Sequence, residues 1–242
     1  MKKLWNNMNA GFILLNIVIV LALCLCSGIG TVNGRTVSVI EVVFKGYDNV
    51  RKLVTWADAF SVVLYGHLYL ALPLIASIAS LPIICDELRT NNFYFHFSRI
   101  GVKHYIHLKY LSCIVSGVGA LFLGLILYGV FVRLFFPSSY DFGDSQVIGI
   151  IENNSLRMIM SAAGYLLYML CYVAMLSIFF CGLVSVTQNI YVNLCVPFLL
   201  NYVTSHILLN TKIYVFLLLC VLFYCTGYRL WLLKYKGVRA CL

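Results

Sequence analysis

Six stretches of the chain are apolar for about 20 residues or more, and short polar segments separate them. They cover residues 11–30, 59–84, 107–132, 158–186, 190–210 and 213–233. A helix of that length crosses the hydrocarbon of a bilayer, where backbone amides find no water and must pair within the segment. The pattern predicts an all-α integral membrane protein with six transmembrane helices in a single domain, 1–242. Strict apolar/polar alternation is missing, which argues against a β-barrel. The one long polar, charged segment lies between the second and third spans, at residues 85–109: CDELRTNNFYFHFSRIGVKHYIHLK.

Composition agrees with the pattern. Hydrophobic residues make up 62% of the chain and charged residues 10%, with a mean hydropathy of +0.95, too little polar surface for a water-soluble fold. Placing the N-terminus inside puts ten Lys and Arg on the cytoplasmic side against seven outside, and two acidic residues inside against six outside. Both termini are therefore expected in the cytoplasm. The basic excess fits topology and anionic lipid. Nucleic acid is not expected, since no soluble basic face is gathered to hold a phosphate backbone. Of the ten cysteines, eight fall within the spans, where cysteine serves as a small apolar filler. Cys24 and Cys26 lack metal-ligand spacing and acidic or histidine neighbours, so no metal site is assigned.

The start of the chain resembles a secretory signal, but its apolar run is long and leucine precedes both Cys24 and Cys26, so an uncleaved first helix is expected. The 31–58 loop is external, and its β-branched part is either a short hairpin or an interfacial segment. His67, in the second span, either hydrogen-bonds a neighbouring helix or lines a path. Ser112, Ser116, Ala120 and Gly124, four apart, make a packing face in the third span. In the fourth, Tyr165, Tyr168 and Tyr172 continue into Met175 and Phe179 at helical spacing, as a packing seam or an aromatic wall for an amphiphilic ligand. Asn193, Pro197, Asn201 and Ser205 align in the fifth, with Tyr202, Thr204 and His206 alongside, and the two asparagines point to another helix or to a translocation path. The basic tail from Lys234 reads as an anchor for anionic lipid.

Within 85–109, Phe93, Phe97, Ile100 and His104 recur four, three and four apart. They predict an amphipathic helix lying along the membrane surface, a reading that is physically sufficient by itself. The run Pro82, Glu87, Thr90, Ser98-Arg99, Tyr105 and Lys109 also resembles the cytoplasmic coupling region of type-2 ATP-binding-cassette (ABC) exporter permeases. Six spans, internal termini and the length fit small members of that family, which move antimicrobial peptides or confer immunity to them. That family often has a re-entrant hairpin between the fifth and sixth spans, where only Asn210 to Lys212 remain here. The resemblance implies a permease subunit in a bacterial cell membrane, paired with a second permease copy or a related permease. Two cytoplasmic ABC ATPase subunits would dock on it, with ATP and Mg held by the ATPases and none by this chain. Glu87, Arg89, Phe93, Phe97, Arg99 and Lys109 would form the coupling element, Lys109 anchoring the third span at the interface. An amphipathic or modified peptide would be the cargo.

No GxxxxGK[ST] loop occurs, so this chain supplies no nucleotide site of its own. The predicted span cores hold no Asp, Glu or internal Lys, which weighs against the alternative, an ion-coupled carrier or channel. A third reading, an intramembrane enzyme built on His67 or His206, lacks an acidic partner at depth for either residue.

Overall fold

The computed structural model describes residues 10–32, 34–47, 50, 54–65, 68–90, 99–137, 148–187, 189–208 and 213–239. Along the chain these form α1 (Ala10–Leu25), β1 (Gly28–Val32), β2 (Arg35–Ser38), α2 (Val39–Phe44), α3 (Trp56–Tyr65), α4 (Leu68–Ile78), α5 (Leu81–Arg89), α6 (Val102–Phe135), α7 (Ile148–Val184), α8 (Ile190–Leu208) and α9 (Ile213–Arg239). The protein is predominantly helical. Among the described residues, four segments are long and apolar enough to cross a membrane: Leu68–Arg89, Val102–Phe135, Ala162–Val184 and Tyr214–Tyr235. Two shorter apolar helices, Ala10–Leu25 and Ile190–Thr204, stand beside that set.

The predicted first span, 11–30, is cut short. Ser27 turns its hydroxyl back to the Leu23 carbonyl at 3.0 Å, and Gly28 and Gly30 then enter an antiparallel ladder, Val32 facing Arg35 and Gly28 facing Ser38. Gly34 sits at φ 77, a left-handed turn conformation that a side chain resists. The 16 residues of α1 span about 24 Å at 1.5 Å per residue. Of the two readings for the 31–58 loop, the hairpin forms at its start, followed directly by α2. A capping box opens that helix, the Ser38 hydroxyl accepting from the Glu41 amide and Glu41 accepting from the Ser38 amide. Thr55 and Asp58 repeat the device at α3, with the Asp58 carboxylate 3.0 Å from the Thr55 amide.

The second span is interrupted. Pro82 has no amide to donate and its ring crowds the carbonyl four residues back, so the helix stops at Ile78 and restarts at Leu81. Asn16, buried in α1, donates to the Ile75 carbonyl at 2.7 Å, three residues before that stop.

The chain divides into two compact units. In the first (Met1–Asn16, Leu72–Leu121, Leu170–Leu242), Leu81, Ile84 and Leu88 pack with Tyr105, Ile106, Phe180, Val184 and Trp231. Gly182 and Gly227 let α7 and α9 approach backbone to backbone: a Cβ on Gly182 would lie 3.1 Å from the Gly227 Cα. In the second unit (Ile17–Ala71, Phe122–Met169), the Tyr128 hydroxyl donates to the Ala59 carbonyl at 3.1 Å. Gly124 there lies against Val20, and the Arg133 guanidinium stands 5.5 Å from the Trp56 ring centroid. Ser112, Ser116 and Ala120 of the small-residue file are all buried, as a packing face requires.

Two expectations about the basic segments are corrected. The helix expected to carry Phe93, Phe97, Ile100 and His104 on one face is broken before its last member: Arg99 and Ile100 are helical and Gly101 at φ 83 separates them from α6, while residues 91–98 lie outside the described ones. Ile100 and His104 therefore do not share one helix face. Lys234, expected to reach lipid, instead donates to the Ser185 carbonyl at 3.0 Å, where the end of α7 leaves acceptors without an intrahelical partner.

Candidate functional site

The end of α5 and the start of α6 bring together three residues of the sequence run. Glu87 lies in the last turn of α5. Tyr105 and Lys109 are four apart on α6, hence on one face of it. Lys109 Nζ is 2.7 Å from the Glu87 carboxylate, and the Tyr105 hydroxyl donates to the same carboxylate at 2.8 Å. The ammonium also sits 5.4 Å from the Tyr105 ring centroid. Lys109 is 1% exposed and Glu87 15%. Lys109 is thus a buried partner of Glu87, while the expectation put it at the membrane interface.

The walls of this node are well packed. Trp231 meets the Tyr105 ring edge to face at 6.2 Å, and its indole N–H donates to the Cys181 carbonyl at 3.1 Å. Thr90 closes α5, its amide and hydroxyl both directed at the Asp86 carbonyl, at 2.9 and 2.8 Å. The arrangement is a tether: an ion pair with a third hydrogen bond ties the end of one helix to the next, across residues 90–101.

The other predicted residues divide between neutral clusters and open surface. Tyr172, fully buried, bonds Asn201 Oδ1 at 2.8 Å and also pairs with the Thr204 hydroxyl. Of the readings open for the tyrosine stripe and the asparagines, helix packing holds at this pair. Asn193 donates to the Thr187 carbonyl at 2.8 Å and lies 3.7 Å from Cys85 Sγ, and its amide oxygen accepts from the Thr187 hydroxyl. It therefore closes the α7–α8 connection onto α5. Tyr165 and Tyr168 stack at 5.7 Å and are half-buried. Arg89 and Arg99 are exposed. His67, Phe93 and Phe97 lie outside the described residues, as does the side chain of His206.

Sequence reasoning placed Thr204 beside the asparagine file but missed Thr187 as a partner, and the bond between Tyr105 and Glu87. The four-residue step from Tyr105 to Lys109 was a usable signal. Nothing local marked Glu87 as their partner 18 and 22 residues away. Among the described residues no three His, Cys, Asp or Glu side chains gather to hold a metal ion. Comparison of the chain with protein-family models, with curated proteins and with solved structures produced no match.

Proposed function

We propose that this chain is the membrane-spanning permease subunit of an ATP-driven ABC exporter, with α1 and α8 completing six spans and both termini in the cytoplasm. The observation that carries the reading is the convergence of Glu87, Tyr105 and Lys109. These are three members of the run that resembles the family's coupling region, and they meet at one rigid node although 22 residues separate the outer two. A lever needs a stiff fulcrum. Movement imposed on the 90–101 segment by a docked ATPase would pass through this node to α5 and α6 as rigid-body rocking. The exposed Arg89, just before the segment, and Arg99, within it, supply the charges for docking, and the partner ATPases hold ATP and Mg. An amphipathic or modified peptide, exported or expelled for self-immunity, is the proposed cargo, in a bacterial cell membrane and through a pair of permeases.

The test is copurification with a cytoplasmic ATPase, followed by transport in vesicles. Arg89→Ala with Arg99→Ala is expected to weaken docking, make it more salt-sensitive and uncouple transport, because rim charges chiefly set association. Normal ATP-driven transport by that variant overturns the docking role. Glu87 is unsuitable for this experiment, since removing it strands a buried lysine. A second reading, an ion-coupled carrier, is favoured by one observation: Glu87 and Lys109 both lie within segments long enough to span. It predicts movement that follows a proton or sodium gradient without ATP.

A further inference from the structure

Outside the node, one surface changes character along its length in the way a phospholipid does. On α6, Lys103, His107, Leu111 and Val115 follow at four-residue steps and all are exposed, so they form one continuous track from basic to apolar. On α9, Tyr228, Tyr224, Val221 and Leu217 are spaced four, three and four, and the last two are exposed. The two tracks are joined at His107. Its ring stacks on Tyr228 at 5.5 Å and on Tyr224 at 6.0 Å, and its Nδ1 pairs with the Tyr224 hydroxyl. Nε2 is the remaining polar atom of that ring.

We propose that this face is a binding site for one anionic phospholipid, its phosphate held by Lys103 and His107 and an acyl chain lying along Leu111 and Val115. Charge complementarity selects the headgroup, because neither α6 nor α9 carries an Asp or Glu anywhere along its length. The neighbouring carboxylate of Glu87 is already engaged by Lys109. Length fits as well: from the headgroup position at His107 to Val115 the track covers about 12 Å of helix axis, within the roughly 15 Å of one leaflet's hydrocarbon. A free anion in solution would have no use for the apolar half of the track, so a lipid is the occupant. The stacked imidazole and tyrosines make the ledge rigid, and a rigid ledge loses little freedom when a headgroup settles on it.

The experiment uses the full chain, delipidated in mild detergent, with native mass spectrometry of phosphatidylglycerol and phosphatidylcholine bearing the same acyl chains. One phosphatidylglycerol per chain is expected to survive activation that strips phosphatidylcholine. Lys103→Gln with His107→Gln should erase that preference, about fivefold for the lysine alone. Val115→Trp, which obstructs the tail track, should weaken both lipids and leave their ratio unchanged. Equal retention of the two lipids by the wild type, or an unchanged preference in the Lys103→Gln, His107→Gln chain, overturns the site. Displacement of the lipid by millimolar inorganic phosphate overturns it too, by showing a soluble-anion site. The readout does not involve an ATPase, so it stands or falls apart from the exporter reading.

Discussion

Two ion pairs of nearly equal length occur among the described residues, and they teach different things. Glu41 and Lys45, on and just beyond the short helix α2, are 2.8 Å apart with side chains 37% and 61% exposed. Glu87 and Lys109 are 2.7 Å apart with Lys109 at 1% exposure. The first pair faces water that would solvate either ion alone, so losing a partner matters little. The second has replaced water with each other and with Tyr105, so neither ion tolerates being left alone. Contact distance is the same in both, and burial decides what the contact does. A pair that cannot be opened cheaply makes a tether, whereas an exposed pair trims the end of a helix.

The widest separation between the two is expected on removing one partner of the buried pair. Glu87→Ala leaves the Lys109 ammonium without its carboxylate in a packed core, a loss of about 3–5 kcal/mol. Thermal unfolding in detergent checks it. The double change Glu87→Leu, Lys109→Met removes both charges together and should recover most or all of that loss, as buried pairs replaced by apolar groups often do. If Glu87→Ala melts like the wild type, the node is no fulcrum and the two ion pairs are equivalent after all.

A neutral buried cluster gives the intermediate case and sharpens the role of charge. Tyr172→Phe deletes the hydroxyl that meets Asn201 and Thr204 but strands no ion. Hydrogen bonds between membrane helices average about 0.6 kcal/mol, so the same unfolding measurement should show a loss several times smaller than for Glu87→Ala. A loss as large as that of Glu87→Ala would mean that burial alone sets the scale, with charge adding nothing.

The apolar runs made the long helices legible, because a stretch that must satisfy its own amides in lipid leaves few options for its backbone. α6 and α9 accordingly cover their predicted spans and extend beyond them, and α7 begins ten residues before its span and ends at Val184, two residues short of the predicted end. Hydropathy did not separate helix from strand near residue 28, since Gly-Ile-Gly-Thr-Val is apolar enough for either, and the pairing partner at Arg35–Ser38 decided it. The surface helix was carried too far for a comparable reason: its period was read across Gly101, a residue free to take the positive φ that breaks the face. Of the node, Tyr105 and Lys109 were visible as an i, i+4 pair. Glu87 was chosen for its charge and place in a run, and its orientation toward Lys109 depends on how α5 and α6 pack, which no local spacing records. The His107 ledge was hidden likewise, its partners lying on a helix 117 residues further on.

The smallest expected effect belongs to the exposed pair. Its hydrogen bond to Lys45, and secondarily that to the Ser38 amide, hold the Glu41 carboxyl below the usual carboxylate range. The Lys45 ammonium is correspondingly raised by Glu41. A depressed acid contributes stability above its ordinary value, about 4.3, and loses it as pH falls. A raised base contributes below its ordinary value, about 10.4, and loses it as pH climbs. The start of α2 should therefore be best ordered between those limits and fray on either side, as followed by amide exchange at Glu41 and Lys45. Glu41→Gln keeps an acceptor for the Ser38 amide and removes the charge, so near neutral pH it should relax only the Lys45 end. Near 1 M salt, where the screening length is about 3 Å, wild type and variant should converge. The melting difference between Glu87→Ala and wild type should persist in that salt, because ions do not enter a packed core; if it too vanished, Lys109 would be reached by water and the contrast between the pairs would be lost.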